Sequence, residues 1–152
     1  MTQKNDMIKL LAKDLHKEYP RSPREVLGGY VIAARMLDKC RASIISKNGE
    51  YHYNCPLDRR FFDFTGIDAA KFKEFVATGV PDEDVAAWIR SHAKKREKAA
   101  IVVWNNQQRD MRLSDLPPAT QEYMEAYVQT FCPKNRPVYR YFDVFDLEEE
   151  RI

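Results

Sequence analysis

The chain has 152 residues, of which 44% are hydrophobic and 32% are charged, and its formal net charge is +2 at pH 7. This length and composition predict one domain, residues 1–152, with a sizeable core and no room for a second domain. The small net charge does not favour nucleic acid or an anionic membrane as a partner, and no stretch approaches the roughly 20 apolar residues of a membrane span.

The N-terminal segment MTQKNDMIKLLAKDL predicts a short helix from Met7 to Leu15. It lacks the continuous apolar core of a signal peptide, so we expect a cytoplasmic location. The two prolines of the following EYPRSP predict an extended connection.

The next segment, PRSPREVLGGYVIAARMLDKCR at residues 20–41, predicts a central helix. Ser22 suits the N-cap, Pro23 suits the first helical position, and Glu25 completes a capping box. Apolar residues fall on both sides of this helix, which is typical of an interior helix. The Gly28–Gly29 pair costs on the order of 2 kcal/mol relative to alanine within a helix. Close approach of another helix, or of a ligand, would offset that cost.

The second half of this apolar segment carries Arg35, Asp38, Lys39 and Arg41. Asp38 lies three residues from both Arg35 and Arg41, so these three side chains predict a local ion network. A buried structural network that fixes helix packing and the polar floor of a site are both compatible with the pattern.

Further elements follow from turn signals and core spacing. Residues 43–56 contain Lys47-Asn48-Gly49 and predict either a short hairpin or an irregular loop. The helices expected after it are one from Leu57 to the Thr65-Gly66 break, one capped by Asp68 and closed by Gly79, one capped by Asp82, one over Lys94–Gln108 that begins with the solvated basic run Lys94–Lys98, and one over Ala119–Phe131 with Tyr123, Tyr127 and Phe131 inward. Alternation from Val138 through Leu147 predicts an extended acidic tail, residues 138–152. The fold class is therefore all-α, a compact multi-helix domain with a buried central helix.

The three cysteines, Cys40, Cys55 and Cys132, predict reduced thiols, since an odd number cannot all pair within the chain. Cys40, His52 and Cys55 come closest to a metal signature, but neither C-x-x-C nor H-E-x-x-H is present, and no metal site is predicted. Cys40 on an apolar helix face is more typical of packing than of a catalytic nucleophile. The sequence has no cofactor-binding pattern such as G-x-G-x-x-G, so it predicts no particular cofactor.

Several blocks keep a fixed order between residues 8 and 92: PRSPRE, LGGY, ARMLDKCRA, NGEYHYNCPLD, FFDFTGID and AAWIR. In this order they resemble a bacterial family described only as a domain of unknown function. The resemblance implies a small, helical, cytosolic bacterial protein. It implies no activity for any residue.

Three classes of function are compatible with the sequence. The first is a non-enzymatic protein that binds a small anionic ligand where the PRSPRE segment and the central helix meet the loop His52–Asp58. The ligand-binding residues predicted for it are Arg21, Arg24, Arg35, Asp38, Arg41, His52 and Asp58. In the competing interpretation, Arg21 and Arg24 only neutralise the acidic residues Glu148–Glu150.

The second class is an enzyme in which Asp38, held by Arg35 and Arg41, acts as general acid or base with Tyr30, His52 or Asp58 as proton partner. The third is a structural or interaction module, such as a homodimer formed through the FFDF segment or residues 138–152. None of the three classes has nucleic acid or a membrane as partner.

Overall fold

The computed structural model describes residues 2–152, with side chains from Asp6 onward. These residues contain eight α-helices and one 3₁₀ helix and no strand, which confirms the all-α fold class. They form two compact units, one up to Glu97 and one from Lys98 to the end. No helix among them combines the length and apolarity that crossing a bilayer requires.

The first unit is built around one buried helix. Helix α2, Ala33–Ile44, packs against other helices of the unit, and its residues Ala33–Ala42 are all buried. Because these ten positions include two arginines, a lysine and an aspartate, the charged side chains of α2 lie inside the unit and need partners there. The helices of this unit are α1 (Thr2–Leu11), α2 (Ala33–Ile44), α3 (Pro56–Thr65), α4 (Ala69–Val76) and α5 (Asp82–His92).

The predicted start of the central helix at Ser22 is wrong, because α2 begins at Ala33. The Ser22 hydroxyl accepts a hydrogen bond from the N–H of Arg24 at 3.1 Å, and the Ser22 carbonyl accepts one from Glu25 at 3.1 Å. Serine and proline favour turns as readily as helix starts, so the same residues form a turn here. The chain then folds back, and the N–H of Ile32 donates to the carbonyl of Pro23 at 2.8 Å.

The glycine pair forms a tight turn and does not lie within a helix. Leu27 and Tyr30 exchange two backbone hydrogen bonds, of 3.0 and 3.2 Å, around Gly28 and Gly29, whose φ angles are +65° and +97°. Positive φ at both central positions is the requirement of a type I′ turn. A Cβ at Gly28 would lie 3.2 Å from the carbonyl oxygen of Ala86 in α5, so the predicted close approach of a helix is present.

Two other boundaries in the first half differ from the prediction. Helix α1 ends at Leu11, and the Leu15 N–H donates to the carbonyl of Lys47 at 2.8 Å instead of continuing a helix. Residues 45–55 form an irregular loop with no strand pairing, so the hairpin alternative is wrong. The hydrogen bond between Leu15 and Lys47 holds this loop against the residues that follow α1.

The signals around α3 to α5 are mostly confirmed. Gly66 ends α3 in the left-handed conformation, and the Asp68 side chain caps α4 by accepting from the N–H of Lys71 at 3.0 Å. Asp82 is not a cap, because Pro81 takes the N-cap position of α5. The Asp82 carboxylate is used elsewhere, as described below.

The second unit contains α6 (Lys98–Asp110), the 3₁₀ helix Leu113–Asp115, α7 (Pro118–Phe131) and α8 (Tyr141–Glu148). Helix α6 packs on α8, and α7 packs on the 3₁₀ helix. The basic run up to Glu97 precedes α6 and does not form its first turn.

Two further expectations for the second unit are wrong. In α7 the buried residue is Met124, whereas Tyr123 and Phe131 are 66% and 50% exposed. The acidic tail is helical over α8, because its buried residues Tyr141, Val144 and Leu147 recur at helical spacing. The apparent alternation was too short to distinguish an extended segment from a helix.

Candidate functional site

Three charged side chains of α2, namely Asp38, Lys39 and Arg41, form ion pairs with residues outside that helix. The Asp38 carboxylate, 5% exposed, accepts hydrogen bonds from the backbone N–H of Arg21 at 2.8 Å and from its Nε and Nη2 at 3.1 and 3.0 Å. The Lys13 Nζ lies 3.5 Å away. The predicted network of Arg35, Asp38 and Arg41 is therefore not formed, because the ion-pair partners of Asp38 are Arg21 and Lys13.

Asp82 continues this chain of charges. Its two carboxylate oxygens accept from Arg21 Nη1 and from Arg41 Nη1, both at 2.7 Å. Arg41 also donates from Nη2 to the carbonyl of Val80 at 3.0 Å. Asp82 thereby joins the first turn of α5 both to α2, through Arg41, and to the segment before α2, through Arg21.

The ionisation of Asp82 reflects these contacts. Burial alone would raise the pKa of Asp82, but the hydrogen bonds and charges of Arg21 and Arg41 outweigh burial and hold the pKa below its ordinary value of 3.8. Asp82 therefore stays ionised, and the two guanidinium groups stay neutralised, throughout the neutral range.

A second buried ion pair lies at the start of α3. The Lys39 Nζ lies 3.0 Å from Asp58 Oδ1, and the two side chains are 3% and 0% exposed. Asp58 Oδ2 accepts from the backbone N–H of Asn54 at 2.9 Å, and Lys39 Nζ donates to Cys55 Sγ at 3.1 Å. The pair thus fixes the loop before α3 on the centre of α2.

The remaining predicted site residues occupy different surroundings. Arg35 is 2% exposed, donates to the carbonyl of Arg21 at 3.3 Å, and lies 5.5 Å from the Tyr51 ring centroid. Arg24 is half-buried, and His52 is exposed. The structure therefore brings Arg21, Asp38 and Arg41 together through Asp82, places Asp58 with Lys39, and does not draw His52 into either cluster.

These clusters favour the structural interpretation of the α2 charges. The oxygens of Asp38 already face Arg21 and Lys13, which leaves little room for a substrate proton. The roles of Lys13 and Asp82 were not predicted from the sequence, because their partners are distant along the chain. Lys39 was identified as a buried charge, but its pairing with Asp58 has no local sequence signal.

The thiols differ in their environments. Cys40, Cys55 and Cys132 are free, and only Cys55 is partly exposed. Burial raises the pKa of Cys40 to about 12, so that this thiol stays protonated at neutral pH and packs as an apolar group. Within residues 2–152 no three His, Cys, Asp or Glu side chains are grouped so as to hold a metal ion.

The second unit contains a half-open groove of about 550 Å³ between the 3₁₀ helix, α7 and the residues before α8. The N–H of Leu113 donates to the carbonyl of Tyr139 at 2.7 Å, and Gln121 Nε2 donates to the carbonyls of Ser114 and Leu116 at 3.2 and 2.7 Å. These bonds hold the walls together. The lining residues are Arg112, Leu113, Ser114, Gln121, Glu122, Met124, Glu125, Val138 and Tyr139.

Charges of opposite sign line this groove. The guanidinium of Arg112 lies 5.2 Å from the centroid of the Tyr139 ring, while Glu122 and Glu125 project from α7. Among the described residues, Arg112 forms no ion pair with either glutamate. This groove was not predicted from the sequence, because Arg112 lies before the Pro117–Pro118 turn, Glu122 and Glu125 lie within α7, and Tyr139 lies after it.

The chain has no significant match among curated proteins. The resemblance seen in the sequence is confirmed and extends past residue 92, since residues 17–151 match the family described as Domain of unknown function (DUF5069), to which the chain belongs.

Proposed function

We propose that the protein binds a small zwitterionic molecule of the amino-acid or short-peptide class in the groove of the second unit. The observation that carries this proposal is the pair of opposite charges, Arg112 and Glu122, which line one groove without pairing to each other. A ligand that carries both signs can bind both of these groups.

The size and lining of the groove support a small ligand. Its volume of about 550 Å³ lies within the roughly 300–1,000 Å³ that is typical of small-molecule sites. Leu113, Met124 and Val138 supply apolar surface, and Met124 is only 5% exposed. An apolar side chain of the ligand packs there while its charged ends remain at the rim.

Each charged end has a specific partner. The Arg112 guanidinium, held over the face of Tyr139, offers paired N–H donors to a carboxylate. Glu122 and Glu125, one turn apart on α7, accept from an ammonium group. The Gln129 Nε2 donates to Glu125 Oε1 at 3.0 Å, which leaves Glu122 as the main acceptor.

This proposal keeps the anionic group of the ligand that the sequence suggested but moves its site. Arg21 and Arg41 already bind the carboxylate of Asp82 at 2.7 Å, so that an anion at these arginines would compete with a protein carboxylate. Arg112 carries no such competitor among the described residues.

The test is a titration of labelled protein with free amino acids and dipeptides, followed by amide chemical shifts. We expect shifts confined to residues 112–125 and 138–139, and weaker binding when the ligand is N-acetylated or amidated. Arg112→Gln and Glu122→Gln should each weaken binding by roughly tenfold or more, since a hydrogen bond to a charged group contributes about 1.5–3 kcal/mol. The matched control Arg136→Gln, at an exposed arginine outside the groove, should not. Unchanged groove amides at millimolar ligand, or equal affinity in Arg112→Gln, would overturn the proposal.

A further inference from the structure

We propose that Lys39 and Cys55 become covalently joined through a sulfur–nitrogen bond when the protein meets hydrogen peroxide. The two reacting atoms already lie next to each other, since Lys39 Nζ and Cys55 Sγ are 3.1 Å apart. This separation is within the roughly 3–3.5 Å of a near-attack arrangement. The inference concerns the first unit and is independent of the proposed function.

Both groups are held in place by the fold. Lys39 belongs to buried α2 and is 3% exposed, and its Nζ is anchored by Asp58 Oδ1 at 3.0 Å. Cys55 is the N-cap residue of α3, and its carbonyl accepts from the N–H of Arg59 at 2.9 Å. The contact is therefore a consequence of how α2 and α3 pack.

Cys55 is also the thiol that peroxide can reach. It is partly exposed, whereas Cys40 and Cys132 are buried. The Cys55 sulfur accepts from the Lys39 ammonium group, and Cys55 occupies the N-cap position of α3. Burial raises the pKa of Cys40 to about 12, which keeps the Cys40 thiol protonated and unreactive.

The reaction balances in two steps. The Cys55 sulfur attacks one peroxide oxygen, the O–O bond breaks, and the thiol becomes a sulfenic acid with release of one water. Lys39 gives up a proton, for which Asp58 Oδ1 at 3.0 Å is the nearby carboxylate acceptor, and the neutral amine attacks the sulfenic sulfur. The S–N bond forms, the S–O bond breaks, and a second water leaves. One peroxide is reduced and the sulfur loses two electrons.

The neutral products suit the interior. Proton transfer leaves Asp58 as a neutral carboxylic acid when Lys39 loses its charge. Since Asp58 is 0% exposed, a neutral form avoids an uncompensated buried charge. The crosslink thus replaces the ion pair between α2 and the start of α3 by a covalent bond.

The test is mass spectrometry of the native protein after mild peroxide treatment. We expect an intact mass about 2 Da below that of the reduced protein, reversed by dithiothreitol. Trypsin should no longer cleave after Lys39, and peptides that contain Lys39 and Cys55 should be joined. Dimedone, which traps sulfenic acid, should suppress the crosslink and label Cys55. The matched variant Cys132→Ser should still form the crosslink, and Cys55→Ser should not.

A disulfide between Cys40 and Cys55 has the same mass, so two results separate the products. Cleavage after Lys39 survives in the disulfide and is blocked in the crosslink. The 2 Da loss should also persist in Cys40→Ala. Continued cleavage after Lys39, loss of the crosslink in Cys40→Ala, or oxidation of Cys55 only to sulfinic or sulfonic acid would overturn the proposal.

Discussion

Removing the Asp38 carboxylate tests whether the buried ion pairs of α2 stabilise the folded protein. In Asp38→Ala, the backbone N–H, Nε and Nη2 of Arg21 lose their acceptor, and Lys13 loses an ion partner at 3.5 Å. The site is too closed for water to replace the carboxylate fully, because the Asp38 side chain is 5% exposed. The variant should therefore be strongly destabilised.

The magnitude follows from what remains of the network. Removing one member of a buried ion pair costs about 3–5 kcal/mol. Arg21 keeps its 2.7 Å contact with Asp82, and its side chain is 22% exposed, so that part of its charge stays compensated. We therefore expect the lower end, a loss of about 3 kcal/mol in the free energy of unfolding.

Urea denaturation followed by far-UV circular dichroism measures the loss. Asp63→Ala is a matched control, since its carboxylate also pairs with an arginine, Arg59, at 3.1 Å but is 70% exposed. An exposed pair of this kind contributes about 0–1 kcal/mol. Equal losses for Asp38→Ala and Asp63→Ala would show that the network of Asp38 is hydrated, and the reasoning from burial would fail.

Two more predictions follow from local geometry. Asp82→Asn should lower the free energy of unfolding at neutral pH. The folded state holds the pKa of Asp82 below 3.8, so the wild-type protein loses this stabilisation when Asp82 is protonated at low pH. The difference in stability between the variant and wild type should therefore shrink below pH 3.8. Denaturation at neutral pH and about pH 3 checks this, and a pH-independent difference would contradict it. Gly28→Ala should cost about 1–3 kcal/mol, because φ is +65° and the Ala86 carbonyl lies 3.2 Å from the added Cβ. Gly66→Ala, with φ +74° but open space, should cost less, and equal melting temperatures of the two variants would argue against the close approach.

Sequence reasoning succeeded where a signal and its partner lie within a few residues. Gly66 ends α3 because only glycine adopts the left-handed conformation without strain, and Asp68 caps α4 through an N–H three residues away. The buried character of α2 was equally predictable, since apolar residues occupy both of its sides. These features need no knowledge of the tertiary structure.

The start of α2 was not predictable from the same rules, because its signals are ambiguous. Ser22 and Pro23 suit a helix start and a turn equally well, and only the hydrogen bond between Ile32 and the Pro23 carbonyl selects the turn. That bond closes a loop across the glycine turn. The glycine pair was the better indicator, since two adjacent glycines are a signal for a hairpin turn.

The candidate site was predicted in composition but not in pairing. Asp38 is bound by a residue 17 positions earlier, and Arg41 by one 41 positions later. Helical spacing shows which side chains are neighbours on one helix. It does not show which distant segment packs beside that helix and supplies the partner of a long charged side chain. The groove beside Arg112 was missed for the same reason.

The pairing explains why α2 retains charges that a purely apolar helix would avoid. A buried ion pair adds little stability over well-packed apolar residues, but a wrong partner or register leaves a charge buried and uncompensated. Arg41 can be neutralised only if the first turn of α5 presents Asp82, and Lys39 only if the start of α3 presents Asp58. Each alternative packing of α3 or α5 on α2 therefore carries a penalty of several kcal/mol. The pairing of Lys39 and Arg41 therefore favours one arrangement of α3 and α5 on α2.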